Sequence, residues 1–145
     1  MFRQNFRIHS MTPERELDLA GQVIGLDMKV HRTLGAGFLE SVYENSLCVE
    51  LPREGFVFER QKPLRVLYEG VVVGDFTADL VVEGGLIVEL KAISALAQAH
   101  EVQLVNYLTA TGIEDGLLLN FGSPSLEFKR KYRTCRVPKA KDLVL

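Results

Sequence analysis

The spacing of apolar residues changes once along this chain, near Phe56, and that change limits the folds open to it. Before Phe56 the apolar residues recur at helical spacing in two segments, residues 17–34 and 38–53, with Gly35 between them. Thr12-Pro13-Glu14 has the residue types that begin a helix and predicts the start of the first one. After Phe56, short apolar runs lie between glycine-containing turns, which is typical of strands. The sequence therefore predicts two helices followed by a sheet.

The remaining elements follow from the same patterns. Glu69-Gly70 predicts a tight turn, and Gly112 predicts the end of a third helix that begins near residue 95. Strand-like segments lie at residues 56–60, 64–68, 71–76, 78–82, 86–90, 116–121 and 125–132. The resulting order is two helices, three or four strands, a helix and two more strands, which predicts an α/β fold with helices packed on a mixed sheet.

The composition is that of a folded protein and excludes several classes. Of the 145 residues, 47% are hydrophobic and 25% are charged, and no repeat or linker divides the chain, so we expect one domain over residues 1–145. The longest apolar runs are far shorter than the ~20 residues that cross a bilayer, and residues 1–9 do not resemble a secretory signal. Two cysteines without Cys-x-x-Cys spacing argue against a zinc ribbon or a disulfide framework. We therefore expect no membrane partner and a cytoplasmic location.

The net charge of −2 hides a basic segment near the C-terminus, residues 129–141. This basic segment holds seven basic residues and no acidic ones. It can bind the phosphates of a nucleic acid, or it can be a solvated tail, and the sequence leaves both interpretations open. The candidates for nucleic-acid binding are Lys129, Arg130, Lys131 and Arg133.

Three charged residues come together if the chain forms a hairpin around Gly84. In such a hairpin the numbers of paired residues sum to 168, so Asp79 lies directly opposite Glu89. Cross-strand neighbours of this kind have Cβ atoms about 4.5–5.5 Å apart. Lys91 follows Glu89 by two positions and shares its face of the sheet. The apolar residues of the hairpin face the other way, and these are Leu80, Val82, Leu86, Val88 and Leu90.

Two carboxylates at this distance repel each other, and the pattern has two interpretations. A divalent cation can bind Asp79 and Glu89, with the carbonyl of Leu90, because Mg²⁺ or Mn²⁺ prefers hard oxygen ligands. Such an ion acidifies a bound water and stabilises charge on a phosphate, while Lys91 positions the nucleophile. The other interpretation is a salt bridge from Lys91 to one of the acids on the sheet surface. The spacing alone does not decide between them.

Two of the predicted helices carry polar residues that can join such a site. On the third helix Gln103 and Tyr107 lie one turn apart and share a face with His100. On the second helix Glu40 and Glu44 lie one turn apart. Each residue is also explained as part of an ordinary helix surface, since the helix dipole favours an acid in the first turn.

The segment from Gly37 to Tyr43 reads Gly-Phe-Leu-Glu-Ser-Val-Tyr and matches the signature of the GxxExxY protein family, which is placed in the PD-(D/E)XK nuclease superfamily. The resemblance extends from about residue 16 to residue 130. The other segments that carry it are residues 61–64, 79–82, 89–91, 103–107 and 116–122.

This resemblance implies a restriction-endonuclease-like core of order αβββαβ, a mixed sheet flanked by helices. It implies that Asp79 and Glu89 bind the metal and that Lys91 is the catalytic lysine. Glu40 resembles the helix carboxylate that completes the metal shell, directly or through water. The Gln-x-x-x-Tyr motif that borders the active site in the exonuclease branch corresponds to Gln103 and Tyr107.

Three functional hypotheses follow. The first is a Mg²⁺- or Mn²⁺-dependent nuclease that hydrolyses phosphodiester bonds, with DNA as the expected substrate and a metal-activated water as the nucleophile. The second is a non-catalytic nucleic-acid-binding or regulatory module that retains the nuclease fold and binds through the basic segment. The third is a structural homodimer without a ligand.

Overall fold

A computed structural model describes residues 18–133, and within this range the chain forms three helices and five strands. Their bounds in chain order are α1 (Leu19–Leu34), α2 (Glu40–Arg53), β1 (Phe58–Tyr68), β2 (Val71–Val82), β3 (Leu86–Lys91), α3 (Gln98–Thr111), β4 (Asp115–Asn120) and β5 (Glu127–Tyr132). This is the order predicted from the sequence. None of the described helices is long and apolar enough to cross a membrane.

The five strands form one mixed sheet in the order β1-β2-β3-β4-β5. All neighbouring strands are antiparallel except β3 and β4, which run parallel and are connected through α3. The central strands β3 and β4 are almost continuously apolar and buried, as expected for strands covered on both faces. The predicted α/β class with a restriction-endonuclease-like core is confirmed.

The helices cover the two faces of the sheet unequally. One core lies between the sheet and both α1 and α2, and it includes Leu80, Val88 and Leu90 from the hairpin. A smaller core lies between the other face and α3, where Val81 and Ile87 contact the helix residues Leu104 and Leu108. The apolar face of the hairpin therefore packs under α1 and α2, as predicted.

The first helix begins later than the sequence suggests. The predicted start at residues 12–14 lies outside the described residues, and α1 begins at Leu19. Asp18 is its N-cap, with an extended backbone and an Oδ1 that accepts a hydrogen bond from the amide of Gly21 at 2.9 Å. At the other end Gly35 has a positive φ of 74°, which stops the helix where expected.

The long hairpin of β1 and β2 differs from the predicted strands, because each of its two strands joins two segments that were predicted separately. Residues 56–60 and 64–68 were expected to be separate, but Pro63 pairs with Thr77 inside one continuous strand. Proline is tolerated there because β1 is an edge strand, where one row of amide groups needs no partner. The predicted segments 71–76 and 78–82 are likewise one strand, β2. The turn at Glu69-Gly70 is confirmed, with positive φ angles at both residues.

Candidate active site

The register of β2 against β3 places Asp79 beside Glu89. Leu80 pairs with Val88, and the two following pairs keep the same register, with residue numbers that sum to 168 as predicted. Asp79 and Glu89 are the next residues in that register. The strands separate there, and Asp79 Oδ2 accepts a hydrogen bond from the amide of Leu90 at 2.8 Å. The side chain of Asp79 thus binds the backbone of the neighbouring strand where the ladder ends.

Glu89 is the most perturbed acid of this hairpin. Burial raises its pKa from 4.5 to about 8, and the negative charge of Asp79 acts in the same direction. The positive charge of Lys91 opposes this shift only in part. Glu89 Oε1 is buried and has no hydrogen-bond partner. A buried oxygen without a donor is unusual in a folded protein, and this one is free to bind an ion or a water.

Lys91 does not neutralise these acids directly. Within residues 18–133 it forms no ion pair with Asp79, Glu89 or any other acid. The salt-bridge interpretation of the hairpin is therefore not what the structure contains. The two carboxylates and the ammonium group lie near one another, and the charges remain available to a ligand.

The oxygen atoms of this hairpin fit a small divalent cation. Asp79 and Glu89 provide hard oxygen ligands, and one of those oxygens is buried without a partner. In the described part of the chain, no three His, Cys, Asp or Glu side chains lie close enough to hold an ion by themselves. That arrangement suits Mg²⁺ or Mn²⁺, which binds through one or two carboxylates and keeps several waters or substrate oxygens as its other ligands.

Glu40 lies at the edge of the site, in the first turn of α2. Partial burial and the charges of Asp79 and Glu44 raise its pKa, while the positive charge of Lys91 lowers it. These effects place Glu40 within electrostatic range of the hairpin acids. Of the two arrangements inferred for Glu40, binding through a water fits this position better than direct binding, because no cluster of three acids is formed.

The α3 residues Gln103 and Tyr107 meet at the same face of the sheet. Gln103 Nε2 donates a hydrogen bond of 2.6 Å to the hydroxyl oxygen of Tyr107. The ring of Tyr107 stacks on Phe76 of β2 with 3.6 Å between centroids. Burial and the charge of Glu89 raise the pKa of Tyr107, so this hydroxyl lies in the field of the acids.

The loop that leads to Glu40 is held by Tyr43. The Tyr43 hydroxyl donates to the carbonyl of Gly35 at 2.5 Å and accepts a hydrogen bond from the amide of Phe38 at 3.2 Å. The Tyr43 ring is fully buried and stacks on Phe121 with centroids 4.5 Å apart. The tyrosine of the sequence signature therefore holds the turn that positions Glu40, and the signature glycine, Gly37, lies in that turn with a φ of 114°.

The segment after Lys91 is fixed by Asn120, which sequence reasoning did not single out. Asn120 is fully buried, and its Oδ1 accepts hydrogen bonds from the amides of Ile93 at 2.9 Å and Gly122 at 3.0 Å. A Cβ atom at Gly122 would lie 2.2 Å from the carbonyl oxygen of Ile93, so only glycine fits against this backbone. These contacts hold the end of β3 and with it the backbone of Lys91.

Sequence reasoning named Glu44 beside Glu40 but missed its partners Arg60 and Gln61. Glu44 is buried, and its Oε2 forms a salt bridge with Arg60 at 2.9 Å. Glu44 Oε1 accepts a hydrogen bond from Gln61 Nε2 at 2.9 Å, and the same nitrogen lies 3.3 Å from Asp79 Oδ1. Gln61 therefore connects α2 to the hairpin acids. Gln61 lies opposite Asp79 between two regular pairs of β1 and β2, in a register that depends on an irregularity between Val66 and Leu67.

The basic segment has acidic partners where the structure describes it. Lys131 pairs with Glu101 at 2.6 Å, and Arg133 pairs with Glu114. Arg130 lies 2.6 Å from Asp18 and 3.5 Å from Asp115. Lys129 is exposed, and residues 134–141 lie outside the described residues. The candidates for nucleic-acid binding that the structure describes are thus largely neutralised on the edge strand β5.

Comparisons with known proteins agree with this fold. The chain matches the family described as the PD-(D/E)XK nuclease superfamily over residues 17–131. A solved structure titled "Crystal structure of SSO0001" is similar, with a TM-score of 0.52 and 18% identity, and the match covers 66% of this chain and 52% of that one. The chain thus spans about half the length of SSO0001, and the likeness concerns the fold alone. No curated protein matches the sequence. Because the family match covers most of its length, this chain belongs to the PD-(D/E)XK nuclease superfamily.

Proposed function

We propose that this protein is a metal-dependent nuclease that hydrolyses phosphodiester bonds, with DNA as its expected substrate. The observation that carries the proposal is the buried, unpartnered oxygen of Glu89 beside Asp79, with Lys91 free of an acidic partner among the described residues. A purely structural cluster would give this buried oxygen a donor, because a buried polar atom without a partner is costly. Membership of the superfamily supports the same reaction class.

Asp79 and Glu89 are the residues that would hold Mg²⁺ or Mn²⁺. A bound ion of this kind supplies an acidified water and neutralises charge on the phosphate. Glu89 has a pKa of about 8 without metal, so at neutral pH it must release a proton before it can act as a ligand. Glu40 holds water on the side of α2. The orientation of Asp79 is already set by its hydrogen bond from the Leu90 amide.

Lys91 and Tyr107 orient the phosphate and the nucleophile. The ammonium group of Lys91 has no acidic partner among the described residues and can donate to a phosphate oxygen or to the attacking water. The hydroxyl oxygen of Tyr107 accepts a hydrogen bond from Gln103, so its own proton is available to a substrate oxygen. Gln103 thereby sets the direction in which Tyr107 donates.

The narrower GxxExxY family is part of this proposal. Its signature corresponds here to a glycine-containing loop, a carboxylate at the edge of the site and a tyrosine that holds the loop through the carbonyl of Gly35. A cytoplasmic location is part of the proposal too. Cys48 is a free thiol, which suits a reducing compartment.

The non-catalytic alternative gains little support from residues 129–133, the part of the basic segment that the structure describes. It rested on the basic segment, yet Arg130, Lys131 and Arg133 have acidic partners on β4, on α3 or near the start of α1. Nucleic acid would have to displace these partners before it could bind there. A homodimer remains a proposal for which light scattering is the direct measurement.

The test is a digestion panel of single-stranded, duplex and branched DNA and of RNA with Mn²⁺. We expect cleavage of a DNA substrate that falls by about 10³-fold or more in Asp79→Ala and in Lys91→Ala, because each removes a group that acts on the reacting phosphate. Glu101→Gln is the matched control, since it changes an acid that pairs only with the edge strand. Cleavage that survives in Asp79→Ala and Lys91→Ala would come from a contaminant and reject the proposal.

A further inference from the structure

We infer that Gln61 is a positioning residue, whose strained backbone directs its amide group onto Asp79 and holds that carboxylate in the orientation that binds metal. The inference rests on the proposed metal site and concerns a residue to which neither the superfamily match nor the structural likeness assigns a role. Three observations support it: the backbone angle of Gln61, the two acids that its side chain contacts, and the state of the Asp79 oxygens.

The backbone of Gln61 is unusual for its place in the fold. Its φ is 46°, a left-handed conformation that costs a residue with a Cβ about 1 kcal/mol or more. Among the described residues, two other non-glycine residues have positive φ, Glu69 and Glu83, and both lie in the turns that connect strands. Gln61 lies inside β1, where Arg60 and Lys62 on either side keep regular pairs with β2. The side chains of β2 change face at this point, because Phe76 and Ala78 lie in the core under α3, whereas Leu80 lies in the core under α1 and α2.

The strain changes the direction of the side chain. Along a strand, successive side chains point to opposite faces, so Arg60 and Gln61 should not reach the same group. Yet Arg60 Nη2 and Gln61 Nε2 both bind the carboxylate of Glu44, each at 2.9 Å. The positive φ of Gln61 therefore lets one amide group span from Glu44 on α2 to Asp79 on β2.

Gln61 completes the hydrogen bonding of Asp79 while leaving Glu89 open. Asp79 Oδ2 accepts from the Leu90 amide at 2.8 Å, and Oδ1 accepts from Gln61 Nε2 at 3.3 Å. With one donor on each oxygen, the carboxylate cannot rotate without losing a hydrogen bond. Groups that hold a ligand in this way commonly change metal affinity by 10- to 100-fold when they are removed.

The experiment is a calorimetric titration of Mn²⁺ into metal-free wild-type protein, Gln61→Gly and Gln61→Asn, with thermal unfolding of each protein as a second measurement. Gln61→Gly relieves the backbone strain and removes the amide. Gln61→Asn keeps an amide at a residue type that tolerates positive φ, but its side chain is one methylene too short to span both acids. Glu69→Gly is the matched control, because it relieves the same strain in an exposed turn away from the site.

We expect the dissociation constant of Mn²⁺ to rise at least about tenfold in both Gln61 variants. The metal-free unfolding temperature of Gln61→Gly should stay within about 3 °C of that of wild type, since relief of strain offsets the lost hydrogen bonds. Glu69→Gly should bind Mn²⁺ as wild type does.

The outcomes separate this inference from the proposal on which it rests. If wild type binds Mn²⁺ and both Gln61 variants bind it equally well, the positioning role is overturned and the metal site stands. If both variants unfold at a much lower temperature but keep the wild-type affinity, Gln61 only ties α2 to the sheet, and the inference is again overturned. If wild type does not bind Mn²⁺, the proposed metal site fails and the role of Gln61 fails with it.

Discussion

The candidate site on β2 and β3 and the edge strand β5 contain the same kinds of charged residues in opposite states. On β5 and its neighbours, Glu101 and Glu114 each have a basic partner, and hydrogen bonds from Lys131 and Arg133 lower their pKa values. In the site, burial raises the pKa of Glu89 to about 8. The acids near β5 have basic partners within the chain, whereas Glu89 has no basic partner among the described residues.

The difference shows that residue composition does not identify a functional cluster. Sequence reasoning selected both regions because both concentrate charge. The two regions differ in whether their charged groups have partners. Of these two regions, the site is the one in which a buried carboxylate oxygen without a hydrogen-bond partner lies beside a second acid. Charged residues that have partners contribute to the stability of the folded protein. Buried acids without partners reduce that stability and persist where function requires them.

Among the variants that compare the two regions, Glu89→Gln should have the largest effect on the free energy of unfolding. Because the folded pKa of Glu89 lies above its ordinary value, the metal-free protein loses stability as pH rises from about 4.5 to 8, by at most about 5 kcal/mol. The amide of glutamine mimics the protonated acid and can donate to Asp79, so the variant should not show this loss. Urea unfolding at pH 4.5 and pH 8 measures the difference. Equal pH profiles for the two proteins would mean that Glu89 is not destabilised by its burial.

Asp27→Asn asks whether an unpartnered acid alone makes a site. Asp27 on α1 is fully buried, and neither carboxylate oxygen has a hydrogen-bond partner. Burial alone raises its pKa well above 3.8, so its charge reduces stability increasingly as pH rises above that value. We expect the variant to be more stable than wild type at pH 8, by less than Glu89→Gln, because the asparagine amide is itself buried without a partner.

Mn²⁺ distinguishes these two acids. Saturating Mn²⁺ should remove the stability advantage of Glu89→Gln, since the ion stabilises wild type by binding its folded state. The advantage of Asp27→Asn should be the same with and without the ion. If Mn²⁺ also abolishes the effect at Asp27, the metal does not act at the hairpin acids alone.

Arg130→Met tests the edge strand and should have the smallest effect. Arg130 contacts Asp18 and Asp115, and its guanidinium lies 5.1 Å from the centre of the Tyr132 ring. Partly exposed pairs of this kind contribute about 1 kcal/mol or less, so we expect a loss of that size at pH 7. The pKa of Asp18 is lowered by Arg130, so the contribution is present above pH 3.8 and is lost as pH falls further. Nucleic-acid binding that weakens in this variant would restore the basic segment as an interface.

The β2–β3 register could be predicted because it depends on a short local pattern. The glycines around Gly84 fix the turn, and the alternation of apolar and charged residues then leaves one register that buries the apolar set. That is why the sequence predicts Asp79 and Glu89 as neighbours, and in the structure the charges of Asp79 and Lys91 both act on Glu89. The parts of the site that depend on this hairpin needed no information from distant segments.

The role of Gln61 could not be predicted in the same way. The turn at Glu69-Gly70 sets a register in which Tyr68 pairs with Val71, and continuing it would place Arg60 opposite Asp79. An irregularity between Val66 and Leu67 shifts the pairing by one residue, so that Gln61 takes that position. Nothing in the local sequence marks a bulge of this kind.

The neutralisation of Arg130, Lys131 and Arg133 could not be predicted for a different reason. The acids that pair with Arg130, Lys131 and Arg133 lie 15 to more than 100 residues away in the chain, on α3, at the start of β4 and before α1. Only the packing of these elements against β5 brings them within 4 Å of the basic groups. A run of basic residues therefore predicts charge, and the tertiary fold decides whether that charge is available.

The central claim is that Asp79 and Glu89 together bind a divalent cation, and a titration of Mn²⁺ at pH 7 in two buffers of different ionisation enthalpy tests it most directly. Comparison of the two buffers gives the number of protons released. The account predicts binding to wild type with release of close to one proton per ion, because Glu89 has a pKa of about 8 without metal, and no binding to Asp79→Asn. Binding of equal strength to both proteins, or no binding to wild type, would contradict it.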